Sequence, residues 1–477
     1  MQDYKYYLEK FEEYGEVVEI KHSLVVVAGL PNLRINEIVV FEEGCLGQVI
    51  DIANDFCRVA ILDKTIPKSG ERVGRTGGLL TIPVTEEFLG KTINPLGKIL
   101  YPENWKVKQS EQRSIESEIG GIDKRAKITK QFLTGVTMVD LLLPLGNGQK
   151  ELIIGDRKTG KTSFLLTTVK NQIKLGKIVI FAAIGKKKTD INKILKFFAA
   201  EKLADKIIFV VSGADDSENL IYLTPFTAMT LAESFRDKGI DTLVVLDDLS
   251  THAKIYRQIA LNSDKFPGRE SYPGDIFYLH AHLLERAGNF KIDDTKAVSI
   301  TCLPVAETIE GDLTGYITTN LMGITDGHIY FDQSIFVKGR RPAINLQLSV
   351  TRVGRQTQQT IYQQANHEIT AFLTEYESFQ NLSHFGAELS PGVKTIITRG
   401  ERIMEVFDQV SGEIISLPRQ LLLLTLANSE SFFDKDIKSI KESLCQRDFG
   451  KISKEIDQAK TYGDLLVYLI KNKEALC

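Results

Sequence analysis

The run GDRKTGKTS, residues 155–163, constrains this chain more than any other stretch of it. It follows the apolar segment ELII at 151–154 directly and precedes FLLTTV at 164–169, so it reads as a strand, a loop and a helix. The loop fits G-x-x-x-x-G-K-[ST] at Gly155, Gly160, Lys161 and Thr162. In that pattern glycines let backbone N–H groups approach phosphate oxygens, and the helix N-terminus adds its positive dipole end. With glycine near 7% of residues, a chance match in a chain this long is roughly a one-in-fifty event before any context is required. The strand before and the helix after lower that figure further. Residues Gly155, Asp156, Arg157, Lys158, Thr159, Gly160, Lys161, Thr162 and Ser163 are therefore the expected cradle for the phosphates of ATP or ADP. Lys161 is expected to reach the β- and γ-phosphates, and the Thr162 hydroxyl to ligate Mg²⁺.

Composition narrows the setting. The chain has 477 residues, 43% of them hydrophobic, and a formal net charge of −3. That is enough apolar material for several globular domains, and the charge gives no global reason to expect a nucleic acid partner. The five cysteines, Cys45, Cys57, Cys302, Cys445 and Cys477, form no C-x-x-C pair and have no nearby histidines at metal-ligand spacing, so they read as reduced cytosolic thiols. The start, MQDYKYYLEKFEEYGE, lacks the basic and apolar regions of a secretory signal. No apolar run approaches the roughly 18 residues of a spanning helix, so any membrane role must come through partners.

Three patterns divide the chain. Short β-branched runs punctuated by Gly, Pro, Asn or Asp fill residues 16–83 and indicate a small β-barrel after a short segment, 1–15. Residues 101–130 are polar and weakly periodic, as suits a surface connection. From about 150 the strands 151–154, 178–183, 207–211, 242–246 and 298–301 alternate with helical segments, which indicates a parallel sheet buried on both faces. A last apolar strand is expected at 343–348. After 358 helices dominate: Ile361, Ala365, Ile369, Phe372, Tyr376 and Phe379 make one apolar stripe. The expected organisation is a barrel at 16–83, a RecA-like P-loop nucleotide-binding domain at 84–358 and a C-terminal α-helical domain at 359–477, a multidomain α/β protein.

The strand 242–246 ends in Asp247-Asp248, where a P-loop ATPase carries the carboxylate that holds Mg²⁺. Asp247 is the expected ligand, with a solvated acidic turn as the plain alternative. Hydrolysis needs a further carboxylate to polarise water, and ring-forming ATPases of the RecA-like type commonly place a Glu after a Gly at the end of the strand that follows the P-loop helix. Here that position is Lys186, in the run IGKKK, and a protonated ammonium cannot act as a base. The site reads as one that binds nucleotide without efficient turnover. Arg352, in SVTRVG at 349–354, is either an ordinary surface arginine or one presented from a subunit edge to a neighbour's γ-phosphate. His280 and His282 lack a third ligand nearby and read as structural.

The strings GQKELIIGDRKTGKTS from 148, LDDLSTHAKIYRQ from 246, FPGRESYPGDIFYLHAHLLERAG from 266 and ITDGHIYFDQSIFVKGRRPAINLQLSVTRVG from 324 occur in one order. In them the chain resembles the alpha subunits of F-type ATP synthases over nearly its whole length. The resemblance implies a regulatory nucleotide-binding subunit alternating with a catalytic beta-type subunit in a three-plus-three ring around a gamma-type shaft. It implies that Arg352 is an arginine finger acting in trans, and that the chain lies in the cytoplasm, peripheral on the inner face of the cell membrane. Gln where this chain has Lys186 is the family's alpha pattern, whereas the beta type shows Gly-Glu-Arg there and a DELSEED-like acidic loop, both absent here. Lys158 replaces a usual Gln. Gln409 matches one of two glutamines near the adenine, and Ser411 replaces the other. The short segment before the barrel leaves the delta-type stalk contact open, and leaves room for the alternative of a divergent F-like ATPase of some wall-less bacteria, coupled to motility or another process rather than proton flow. More distant readings are an export ATPase, which needs its own catalytic Glu, and an RNA-dependent hexameric helicase, which needs a basic groove with stacking aromatics.

Overall fold

A computed structural model describes residues 3–103, 105, 107–117, 119–293, 295–383, 390–446, 459 and 461–471. Two compact units divide the chain. Met1–Ala126, Gly176–Thr308 and Asp312–Thr325 form the first, and Lys127–Leu175, Ile309–Gly311 and Asp326–Cys477 the second.

The first unit opens with a helix, Tyr4–Phe11, capped by the Asp3 carboxylate on the Tyr6 N–H. Six strands then close into a barrel in the order Tyr14–Lys21, Leu24–Ala28, Phe56–Ile61, Leu46–Ile52, Glu37–Phe41, Arg72–Leu79. Val17, Val25, Val39, Phe41, Val49, Val59 and Val73 fill its interior, and their β-branched and aromatic side chains suit the pleated surface that they cover. The buried Glu37 carboxylate is matched by the Arg75 guanidinium at 3.1 Å and the Gly77 N–H at 2.8 Å.

Beyond the barrel the unit builds a sheet in the order Ala297–Glu307, Thr242–Asp247, Ile178–Lys186, Ile207–Gly213, Thr92–Ile93, Ile99–Tyr101. The first five strands are parallel and the last is antiparallel. Thr242–Asp247 is buried at every position, as its unbroken apolar run requires. Within the polar stretch 101–130, Glu111–Ser114 is a strand paired with Thr81–Val84.

In the second unit Glu151–Gly155 runs parallel to Gly327–Phe331, which pairs antiparallel with Val350–Thr351. The strand expected at 343–348 does not form. Only Ile344 makes an isolated bridge, to Phe331. The Asn345 carboxamide instead accepts from the N–H groups of Gln347 and Leu348, both at 3.1 Å, and folds the segment into a turn. Helices follow at Thr360–Ser383, Pro391–Phe407, Leu417–Asn428, Ile437–Gln446 and Tyr462–Lys471. The stripe from Ile361 to Tyr376 is buried, and Phe379 is half-buried. No helix among the described residues is long and apolar enough to cross a membrane. Cys45, Cys57 and Cys302 are buried free thiols, while Cys477 and the Cys445 side chain lie outside the described residues.

Candidate functional site

The phosphate loop is built where the sequence places it. Gly155 ends its strand at φ 151°, and a Cβ there would lie 2.2 Å from the Phe331 carbonyl oxygen, so no other residue fits. The chain passes through a left-handed Lys158, φ 63°, and Gly160, φ 102°, before the helix Lys161–Lys174 starts. The Thr159 hydroxyl donates to the Asp156 carbonyl at 2.7 Å, and the Gly311 N–H donates to the Asp156 carboxylate at 3.0 Å. These bonds hold the loop as a fixed arch. Lys161 is buried, and its ammonium donates to the carbonyls of Gly155 at 2.7 Å and Asp156 at 2.6 Å. Arg157, Lys158, Thr162 and Ser163 are exposed, so charged and hydroxyl groups line the side that a phosphate would approach.

The loop after Pro391–Phe407 is tied to the phosphate-loop helix, because the Gly412 N–H donates to the Thr167 hydroxyl at 2.9 Å. Gln409 lies in that loop and is buried. Its carboxamide oxygen accepts from the Thr137 N–H at 3.0 Å, and its nitrogen donates to the carbonyls of Gly135 at 2.8 Å and Glu413 at 2.7 Å. Gln409 thus fastens the loop to residues 135–137. Ser411 and its neighbour Val410 are exposed, and Val410, at 75% exposure, is an apolar surface beside the phosphate-loop helix that motif reading overlooked.

In the first unit, Ala183 pairs with Asp247 across two parallel strands. That register brings Lys186, three residues further on, to the carboxylates that end the neighbouring strand. The ammonium lies 2.8 Å from Asp247 and 2.9 Å from Asp248. Asp248 also caps the helix Leu249–Asn262, accepting from the Thr251 N–H at 2.6 Å. Burial pulls the Lys186 pKa down, and the charges of Asp247 and Asp248 more than reverse this, leaving it above the usual lysine range. Lys186 is a fixed cation, not a base.

Arg352 is exposed, directly after the edge strand Val350–Thr351, with its N–H donating to the Asp326 carbonyl at 3.2 Å. Glu151 lies inside the same sheet, opposite Gly327, which in turn faces Thr351. Burial raises the Glu151 pKa well above the carboxylate range, against opposing contributions from the Gln149 amide, which donates at 2.7 Å, and from the charge of Arg352. His280 is buried against His252, ring nitrogens 3.1 Å apart.

A strand, arch and helix with a buried lysine define a P-loop nucleotide-binding protein. Residues 135–351 match the model of the ATP synthase alpha/beta family, nucleotide-binding domain, and residues 358–468 match the ATP synthase alpha/beta chain, C terminal domain. The chain belongs to the ATP synthase alpha/beta family, and its sequence sits with the alpha subunits. It is 38% identical over 438 residues to ATP synthase subunit alpha of Neorickettsia sennetsu, covering 90% of this chain and 86% of that protein. It is 38% identical over 425 residues to the same subunit of Anaplasma marginale (strain Florida), covering 87% and 83%. For the subunit of Ehrlichia ruminantium (strain Gardel) the identity is 37% over 450 residues, covering 91% and 88%. A six-stranded N-terminal barrel, a nucleotide-binding α/β domain and a helical C-terminal domain fit this membership.

Proposed function

We propose that this chain is the regulatory member of a rotary ATPase head, holding ATP or ADP at residues 155–163 without turning it over and lending Arg352 to the catalytic site of a neighbouring beta-type subunit. Lys186 is the observation that carries the reading. Where turnover needs a carboxylate to polarise water, the chain has an ammonium bound to two carboxylates, and an ammonium has no lone pair with which to take up a proton. The exposed Arg352 at the end of a two-residue edge strand supports the second half of the proposal. An arginine so placed neutralises charge developing on a transferring γ-phosphoryl group, an effect worth about 10³ to 10⁵ in rate. Gln409 serves nucleotide binding through the backbone that it fastens, and Ser411 and Val410 present the surface nearest the base. The partners implied are beta-type subunits in a three-plus-three ring, a gamma-type shaft and a delta-type stalk, with attachment to the inner face of the cell membrane made through them.

The test is to purify the chain with its partners and measure ATPase activity with Arg352 and with Arg352→Ala. The expected outcome is a loss of at least about 10³-fold in the assembled head, with the chain alone close to inactive. Substantial hydrolysis by the isolated chain, or an unaffected Arg352→Ala head, would overturn the proposal.

A further inference from the structure

We propose that this chain's nucleotide site takes purine nucleotides without distinguishing adenine from guanine, because Gln409, the amide best placed to read the base, is wholly engaged by the fold itself. The inference rests on reading residues 155–163 as the phosphate site, and every group that it uses lies in the second unit. The two purines differ most at one edge. Adenine presents an amino donor at C6 beside a bare N1, whereas guanine presents a carbonyl oxygen beside an N1–H, the reverse order. A side chain whose donor or acceptor is fixed in place separates them, since the wrong base leaves it unpaired.

The loop 408–413 flanks the helix that opens at the phosphate loop. Its Gly412 N–H bonds the Thr167 hydroxyl, and Thr167 lies about 9 Å along the helix Lys161–Lys174 from Lys161, the scale of a ribose and base beyond the phosphates. Asp408, Gln409 and Glu413 are the loop's side chains with fixed donors or acceptors, and each is turned to the protein. A carboxamide has two N–H donors and two acceptor positions. Those of Gln409 reach the carbonyls of Gly135 at 2.8 Å and Glu413 at 2.7 Å, and accept from the Thr137 N–H at 3.0 Å and the Thr137 hydroxyl at 3.2 Å, so all four are satisfied within the fold. The Asp408 carboxylate accepts from the Arg341 N–H at 3.0 Å. That of Glu413 accepts from the Val410 N–H at 3.2 Å and pairs with Lys441 at 3.0 Å. The Arg341 guanidinium, over the Phe336 ring, donates to the carbonyls of Phe336 at 2.9 Å and Arg340 at 2.7 Å. What the loop offers outward is Val410 and Ser411, both exposed. An apolar face packs on either purine ring, and a serine hydroxyl donates or accepts by rotating about its C–O bond, so neither tells one base edge from the other.

The experiment is calorimetric titration of the nucleotide-free full chain, in magnesium, with ATP, GTP and ITP, the last carrying guanine's C6 edge without its 2-amino group. The three wild-type dissociation constants should agree within about threefold. A preference for ATP over ITP beyond that margin would overturn the proposal, whatever any variant does. Gln409→Ala, which frees the loop from residues 135–137, should weaken all three nucleotides alike. A loss confined to ATP would mean that Gln409 reads adenine, and would equally overturn it. Lys161→Ala, expected to lose all three, ties the signal to the phosphate loop. If wild type bound none of them, the nucleotide reading would fall and this proposal with it, whereas tight binding of ATP alone would sink the proposal and leave that reading in place.

Discussion

Asp140 is completely buried, yet its carboxylate accepts four hydrogen bonds: from the Thr134 hydroxyl at 2.6 Å, the N–H groups of Thr134 and Gly135 at 2.7 and 2.9 Å, and the Gln420 amide at 2.9 Å. Burial still raises its pKa to about 6 against the effect of those bonds. The folded state therefore keeps the proton to a higher pH than the unfolded chain does. Its contribution to stability is whole below about pH 4 and is lost as pH rises through about 6. Over that window the wild type should lose up to about 3 kcal/mol relative to Asp140→Asn. Urea unfolding of both proteins at either end of the window checks this, and a constant difference between them would refute it. At this scale the sequence showed residue types but not their partners. Lys186 was legible as a missing carboxylate. Its grip on Asp247 and Asp248 was not, because it depends on the register of two strands some 60 residues apart in sequence, visible only once Ala183 is known to face Asp247. Gln409 could be placed near a nucleotide by resemblance, but the amide's engagement with residues 135–137 has no local signature.

Two C-terminal helices, Thr360–Ser383 and Pro391–Phe407, cross where Gly400 meets the fully buried Tyr376 ring. A Cβ at position 400 would lie 2.1 Å from that ring, too close for a rotamer change to relieve without moving a helix. Gly400→Ala should cost about 1–3 kcal/mol despite alanine's better helix propensity, and thermal unfolding would show a lowered midpoint. Elements with one uninterrupted pattern were easy to read. The stripe on Thr360–Ser383 recurs at steps of three and four, and the parallel strands are continuous apolar runs. The segment 343–348 misled because alternating apolar and polar residues satisfy a strand pattern equally well when one of them, Asn345, bonds its own following backbone.

Within the first unit, distant segments are joined by deeply buried polar links. Arg286 is the largest. Its guanidinium pairs with Glu233 at 3.0 and 2.6 Å, donates to the Thr230 hydroxyl at 2.8 Å and reaches the Ile115 carbonyl at 3.0 Å, with only 2% of the residue exposed. Removing it alone leaves the buried Glu233 carboxylate with only the Ser117 hydroxyl at 3.2 Å and the more distant Arg236 guanidinium at 3.9 Å, so Arg286→Leu should destabilise the fold by about 3 kcal/mol. Adding Glu233→Leu should recover much of that loss, and chemical denaturation of both variants measures it. The overall architecture was readable because its signals are long: evenly spaced short strands, alternating strands and helices, then helices alone. No such signal announces a link like Arg286, which ties the helix Glu218–Arg236, carrying Thr230 and Glu233, to Ile115 more than 100 residues earlier.

The barrel has one more consequence. Six strands that hydrogen-bond in a circle leave no rim of unpaired backbone for another chain to extend. Whatever this domain meets, it meets through side chains. Adhesion to a neighbour can then change one residue at a time while the fold beneath stays as it is, and a crowded protein of this kind avoids the indiscriminate strand-to-strand stacking to which an open sheet is prone.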